Sequence, residues 1–169
     1  MNYFSHIIDL DEADKRGRPT SFSASKGQCE QIMEVFDLLE LKSFTVQTQV
    51  KALINGAYEV HGSLNAVVVQ PSIVSYEPVT TSISEQFTIM LVPTQNRLVD
   101  YESSHPDDDC DVYTDDEYDL GNLALEYLSL SLPTHPKLAG ESGDHIEFDE
   151  TEQKASSPFS VLSDKLKED

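Results

Sequence analysis

Two runs of alternating residues constrain this chain more than any other feature. Phe44, Val46, Thr48, Val50 and Ala52 are separated by Thr45, Gln47, Gln49 and Lys51, a period of two that sets one side against a core and the other in water. Asn55-Gly56 follows, a dipeptide suited to the two positive-φ positions of a type I′ hairpin turn. The return strand is expected from Tyr58 to about Val69, with Tyr58, Val60, Leu64, Ala66 and Val68 on one side. Gly62 marks a bulge or a close approach to the backbone, and Pro71 ends the run. Ile73 to Glu77 and Ile83 to Val92 read as two more strands around the turn-like Glu77-Pro78, with Ile83, Phe87, Ile89 and Leu91 on one parity. A meander of four strands is the economical topology.

The flanking segments add smaller elements. Tyr3 to Leu10 and Thr20 to Ala24 are each expected as a strand, joined by a polar loop from Asp11 to Pro19. Ser25 is an N-cap for a helix running to about Leu38, with Ile32, Val35, Phe36 and Leu39 as its core-facing stripe. Asp119 is the N-cap of a second helix, in which Leu120, Leu123, Ala124, Tyr127 and Leu128 share one face and Pro133 stops the run near Leu132. Residues 134–169 read as a polar tail. Ile146 and Phe148 form a short edge segment there, and Pro158, Phe159, Val161, Leu162 and Leu166 mark a last helix from Ser157. With 169 residues the chain is expected to be one domain. Its fold class is α+β, a predominantly antiparallel twisted sheet or small barrel of five to seven strands with about three flanking helices.

Charge divides the chain in two. Residues 1–98 hold 11 acids and 7 bases, and the remainder holds 20 acids and 4 bases, out of a formal total of −20. A polyanion would be repelled, because affinity for nucleic acid rests on Lys and Arg displacing counterions from phosphate. Basic proteins and cations are attracted instead. The acids concentrate between 107 and 119: Asp107, Asp108, Asp109, Asp111, Asp115, Asp116, Glu117 and Asp119, with no base among them. Residues 99–118 are therefore expected as a solvated, flexible acidic loop. Those eight carboxylates are the candidate partner-binding residues.

Other chemistry finds little footing. Asp107, Asp109 and Asp111 match the first liganding positions of an EF-hand loop, but Val112 stands where its glycine belongs and Tyr118 where its bidentate glutamate belongs. No metal site and no cofactor are expected. His6, His61, His105, His135 and His145 form no i, i+4 pair, and no phosphate loop or nucleophile elbow occurs. Cys29 and Cys110 lack a C-x-x-C spacing and read as reduced thiols. Lys15, Arg16 and Arg18 read as a charged turn beside an edge strand. No enzyme is expected. The opening residues lack the pattern of a secretory signal and no stretch suits a membrane span, so the expected location is the cytoplasm.

Gly62 to Phe87, GSLNAVVVQPSIVSYEPVTTSISEQF, with Leu91, Val92 and Pro93, resembles the middle of the bacterial YceD family in its alphaproteobacterial form. That form has a Gly-x-Leu-x-Ala strand, a Val-Val-Gln turn and a Glu-Pro-Val segment leading to Val-Pro. Asp115 to Gly140, DDEYDLGNLALEYLSLSLPTHPKLAG, is similar to the family's acidic approach to Asp-Leu, its amphipathic helix and its Leu-x-Leu-Pro exit. Ser157 to Lys167, SPFSVLSDKLK, resembles its closing segment. The resemblance implies a small acidic cytosolic protein associated with accumulation of large-subunit ribosomal RNA and ribosome assembly, with no established catalytic residues. Ser72 stands where relatives commonly have cysteine, and further cysteines of some relatives are missing, so a zinc role does not carry over. Charge and resemblance together suggest a basic partner, a large-subunit ribosomal protein or assembly factor, held by Asp107 to Asp119. The rival readings are a general acidic interaction module without a ribosomal role and a divalent-cation-binding protein.

Overall fold

The computed structural model describes residues 3–94 and 109–141. The chain divides into two compact units, Met1–Ala139 and Gly140–Asp169. Of the second unit only Gly140 and Glu141 are described, so the expected segment at Ile146 and Phe148 and the helix from Ser157 lie outside the described residues.

Seven strands and three α-helices make up the described part of the first unit, an α+β architecture. In chain order they are β1 (Ile7–Asp9), α1 (Leu10–Arg16), β2 (Thr20–Ser23), α2 (Lys26–Val35), β3 (Glu40–Ala52), β4 (Tyr58–Pro71), β5 (Pro78–Pro93), β6 (Cys110–Tyr113), β7 (Glu117–Asp119) and α3 (Leu120–Ser131). The main sheet has the order β2-β3-β4-β5-β6, and β1 pairs with β7 in a separate two-stranded sheet. Every pairing is antiparallel except β5 with β6. Among the described residues the sheet stays open, with β2 and β6 at its edges.

The central strand β4 runs in unbroken register with β5 from Tyr58 opposite Leu91 to Pro71 opposite Pro78. The alternation has the physical cause expected of it. Phe44, Val46 and Val50 of β3, Val60, Leu64 and Val68 of β4, and Ile83, Phe87 and Ile89 of β5 are all buried. Leu10, Ile32, Leu120, Ala124 and Leu128 of the three helices join the same core. Ala52, at the end of its run, is exposed. A register shift between Leu41 and Ser43 lets both Leu41 and Phe44 reach the core although they are an odd number of residues apart.

Gly62 is a close-approach point and not a bulge, since its register is continuous on both sides. A Cβ there would fall 2.0 Å from Cζ of Phe87. The Phe87 ring cannot retreat freely, because it stacks on Tyr127 of α3 with centroids 4.2 Å apart and planes 11° from parallel. A bare backbone at Gly62 thus sets the height at which α3 lies on the sheet.

Several local expectations are corrected. The β3–β4 connection lies where Asn55-Gly56 placed it, but its loop is not a two-residue type I′ turn. Leu53 N–H donates to Ala57 O at 2.7 Å and Ile54–Gly56 form a 3-10 turn, with Gly56 alone at positive φ, 74°. This is the longer loop in which one left-handed glycine closes the hairpin. Ile73 to Glu77 is a loop, because the buried Ser72 hydroxyl accepts from the N–H groups of Val74 and Ser75 at 3.1 and 3.3 Å and Tyr76 takes a φ of 64°. Those bonds turn the backbone before a strand can extend. Helix α2 has the expected Ser25 cap, reinforced by Gln28, but ends at Val35. Asp37, with φ 52°, reverses the chain so that Leu38 is buried and Val35 and Leu39 are exposed.

The segment from Asp11 to Pro19 begins as helix α1. The Asp9 carboxylate accepts from Glu12 N–H at 2.8 Å at one end, and Gly17 closes the other in the left-handed conformation. Lys15 and Arg16 lie in its last turn and pair with Asp11 and Glu12 one turn back. Both pairs are exposed and add little stability.

Replacing Gly62 by Ala is expected to destabilise the chain by about 2–3 kcal/mol, the cost of forcing a methyl group into a filled site. The double variant Gly62→Ala with Phe87→Leu should recover part of that loss. Urea unfolding midpoints measure both.

Candidate functional site

The acidic stretch is not a loop over its described length. Cys110–Tyr113 forms β6 and Glu117–Asp119 forms β7, which corrects the expectation of a flexible segment up to 118. Backbone pairing overrides charge repulsion here: Met90 N–H donates to Asp109 O at 2.8 Å, and Met90 to Pro93 run parallel to Cys110 to Tyr113. Between the two strands, Asp115 and Asp116 both have positive φ, 56° and 58°, and Glu117 N–H returns to Thr114 O at 3.2 Å. The positive-φ turn expected at Asn55-Gly56 thus occurs at a pair of aspartates, a residue type that tolerates the left-handed region.

The candidate carboxylates divide by what their oxygens do. Asp119 is structural. Its Oδ1 accepts from the N–H groups of His6, Gly121 and Asn122 at 2.8, 3.0 and 3.2 Å, and its Oδ2 accepts from the Ser5 hydroxyl at 2.8 Å. One carboxylate therefore caps α3 and ties down the N-terminal segment, in agreement with the preference of a helix start for negative charge. Gly121 permits this closeness, since a Cβ there would meet Phe4 O at 2.1 Å. Asp115, Asp116 and Glu117 are exposed around the turn. Asp107 and Asp108 lie outside the described residues.

Asp109 and Asp111 converge with a third carboxylate, Glu126 of α3, on a cleft of about 390 Å³ between α3 and the β5–β6 edge. Ile89, Leu123, Tyr127 and Leu130 supply its apolar wall. The Tyr127 hydroxyl donates to Asp109 Oδ2 at 2.9 Å, the Tyr118 hydroxyl donates to Asp111 Oδ2 at 2.7 Å, and Asn122 Nδ2 donates to Glu126 Oε1 at 3.0 Å. Neutral donors thus hold all three. Among the described residues none of the three is in an ion pair with Lys, Arg or His.

The negative field is felt by the tyrosines. Burial, the bond to Asp111 and the charges of Asp111 and Glu126 push the Tyr118 pKa far up. Burial, the bond to Asp109 and the charges of Asp109 and Glu126 do the same for Tyr127. Tyr58 is raised by burial and by donating to Asp11 at 2.5 Å, and that bond lowers Asp11 in turn, helped by Lys15.

Sequence reasoning missed Glu126, Leu130 and the two tyrosine hydroxyls. The signal for the helix residues was present: Leu123, Tyr127 and Leu130 recur at i, i+4 and i+7, a second line beside the buried stripe of Leu120, Ala124 and Leu128. The remaining candidates are separately accounted for. His6 stacks on Phe22 at 4.0 Å, His61 lies between Glu59 at 2.9 Å and Thr88 at 3.0 Å, and His135 contacts Thr134 at 3.0 Å. His105 and His145 are outside the described residues. The Cys29 thiol is raised by burial and by Glu30, the opposite of an activated nucleophile. Among the described residues no three His, Cys, Asp or Glu side chains are grouped as metal ligands, and no helix is long and apolar enough to cross a membrane.

These observations define an α+β protein with an anionic cleft built from a sheet edge and a docked helix. The chain belongs to the YceD family: the family model described as large ribosomal RNA subunit accumulation protein YceD matches residues 60–166. The match takes in β4 from Val60 onward, β5, the acidic segment and α3, and the family's name indicates a role in accumulation of large-subunit ribosomal RNA. No curated protein and no solved structure matches the chain.

Two outcomes follow from this geometry. Asp119→Ala should cost about 2 kcal/mol, the upper end for loss of a helix cap, and should speed hydrogen exchange at the amides of His6, Gly121 and Asn122. The tyrosines give an alkaline limit. A tyrosine whose pKa is raised on folding stabilises the native state fully below its unfolded value of about 10 and loses that contribution as pH rises above it. Stability measured by urea unfolding should therefore fall from pH 9 to pH 11, and less steeply in Tyr118→Phe.

Proposed function

We propose that this chain is a non-enzymatic cytoplasmic factor that supports accumulation of large-subunit ribosomal RNA and ribosome assembly by holding a basic partner, a large-subunit ribosomal protein or assembly factor. The observation that carries this reading is the meeting of Asp109, Asp111 and Glu126 at one cleft with no basic side chain paired to them among the described residues. The exposed Asp115, Asp116 and Glu117 extend the negative surface around the turn, and Asp107 and Asp108 precede it in sequence. Asp119 contributes by fixing α3.

The mechanism is electrostatic. Basic ribosomal proteins bind phosphate indiscriminately when unaccompanied, because counterion release rewards any polyanion. A chain with a formal charge of −20 attracts such a partner at long range and speeds encounter. It shields the basic surface until ribosomal RNA competes for it. The same charge opposes direct capture of RNA by the isolated protein.

Binding to individually purified large-subunit proteins, titrated at two or more salt concentrations, tests this. Changing Asp109, Asp111, Asp115 and Asp116 together to Asn should weaken the binding at least tenfold, about 1.4 kcal/mol, and flatten its salt dependence. Asn also tolerates the left-handed backbone at 115 and 116. Unchanged binding in that variant, or tight association of the isolated chain with naked ribosomal RNA at physiological salt, would overturn the proposal.

A further inference from the structure

The cleft differs in one respect from a plain acidic surface, since its carboxylates face an apolar wall. Leu130 is 81% exposed on that wall, while Leu120, Ala124 and Leu128 of the same helix are buried in the core. Tyr127 stands in the same wall. Its ring is fixed against Phe87 and its hydroxyl is committed to Asp109, so a ligand meets a rigid surface and not a mobile side chain. The volume of about 390 Å³ lies at the small end of ligand pockets, which begin at roughly 300 Å³. It accommodates one long side chain and its neighbour.

We infer that this cleft reads a local pattern in the basic partner: an arginine whose guanidinium is shared among Asp109, Asp111 and Glu126, beside an apolar residue seated on Leu130 and Ile89. The inference rests on the acidic-surface reading above and narrows it to a chemical signature. Arginine suits the site better than lysine. Its planar fork offers five donors to several acceptors at once and is less strongly hydrated than an ammonium group, so it tolerates an apolar wall. The tyrosine and asparagine donors already orient the three carboxylates, and orientation before binding reduces the entropy lost when the complex forms.

The test uses the full chain and two fluorescein-labelled peptides of equal charge, one with the repeat Leu-Arg-Leu-Arg and one with Ser-Arg-Ser-Arg, followed by fluorescence anisotropy. The leucine peptide should bind at least tenfold more tightly than the serine peptide. Leu130→Ser, at an exposed position that leaves the fold intact, should abolish that preference, whereas Asp109→Asn with Glu126→Gln should weaken both peptides. Replacing arginine by lysine in the leucine peptide should also weaken it. Equal binding of the two peptides, or a preference that survives Leu130→Ser, would overturn the inference. The acidic-surface reading would still stand if the carboxylate variants weakened binding. Displacement of the leucine peptide by equimolar calcium or spermidine would instead indicate a small-cation site and would also overturn it.

Discussion

The seating of α3 on the sheet depends on one aromatic ring. Phe87 occupies the space a side chain at position 62 would have taken, and Tyr127 lies flat on its other side. That stack sets the helix height, and with it the position of the Tyr127 hydroxyl that restrains Asp109. The anionic cleft is thus an indirect product of a glycine in the middle of the central strand. A packing feature of the core and an electrostatic feature of the surface are here the same arrangement of residues.

The long strands were legible because one of their faces is wet. Where polar and apolar residues alternate from Phe44 to Lys51 and from Tyr58 to Val68, burial alone decides the register, and a slip of one residue would expose the whole core. The shorter elements were harder to read. Ile73 to Glu77 has the composition of a strand, yet a single buried hydroxyl at Ser72 diverts the backbone. Helix α1 buries only Leu10 among its seven residues, so it leaves almost no periodic trace. Its Asp-x-x-Glu start, Asp9 to Glu12, was the available clue.

The acidic segment misled for a different reason. Composition describes the side chains, whereas β6 is held by its backbone against β5, and its aspartates find tyrosine hydroxyls from β7 and α3 rather than cations. Half of the cleft was therefore visible as Asp109 and Asp111. The other half, Glu126 and Leu130, belongs to a helix read mainly for its buried stripe. A helix that serves two surfaces at once carries two stripes, and only the one facing the core has an unambiguous signature.

The pairing of β1 with β7 joins Ile7 to Asp119, contacts separated by most of the first unit. Closing so wide a span carries a large entropic cost, and contacts of that kind form late in folding. During synthesis the first three long strands can assemble while α3 is still inside the exit tunnel, and the cleft cannot exist until residues beyond Ser131 have emerged. The long strands β3 to β5 can therefore pair before the anionic cleft exists, because the helical wall of that cleft, Glu126 to Leu130, is the last of its parts to be synthesised.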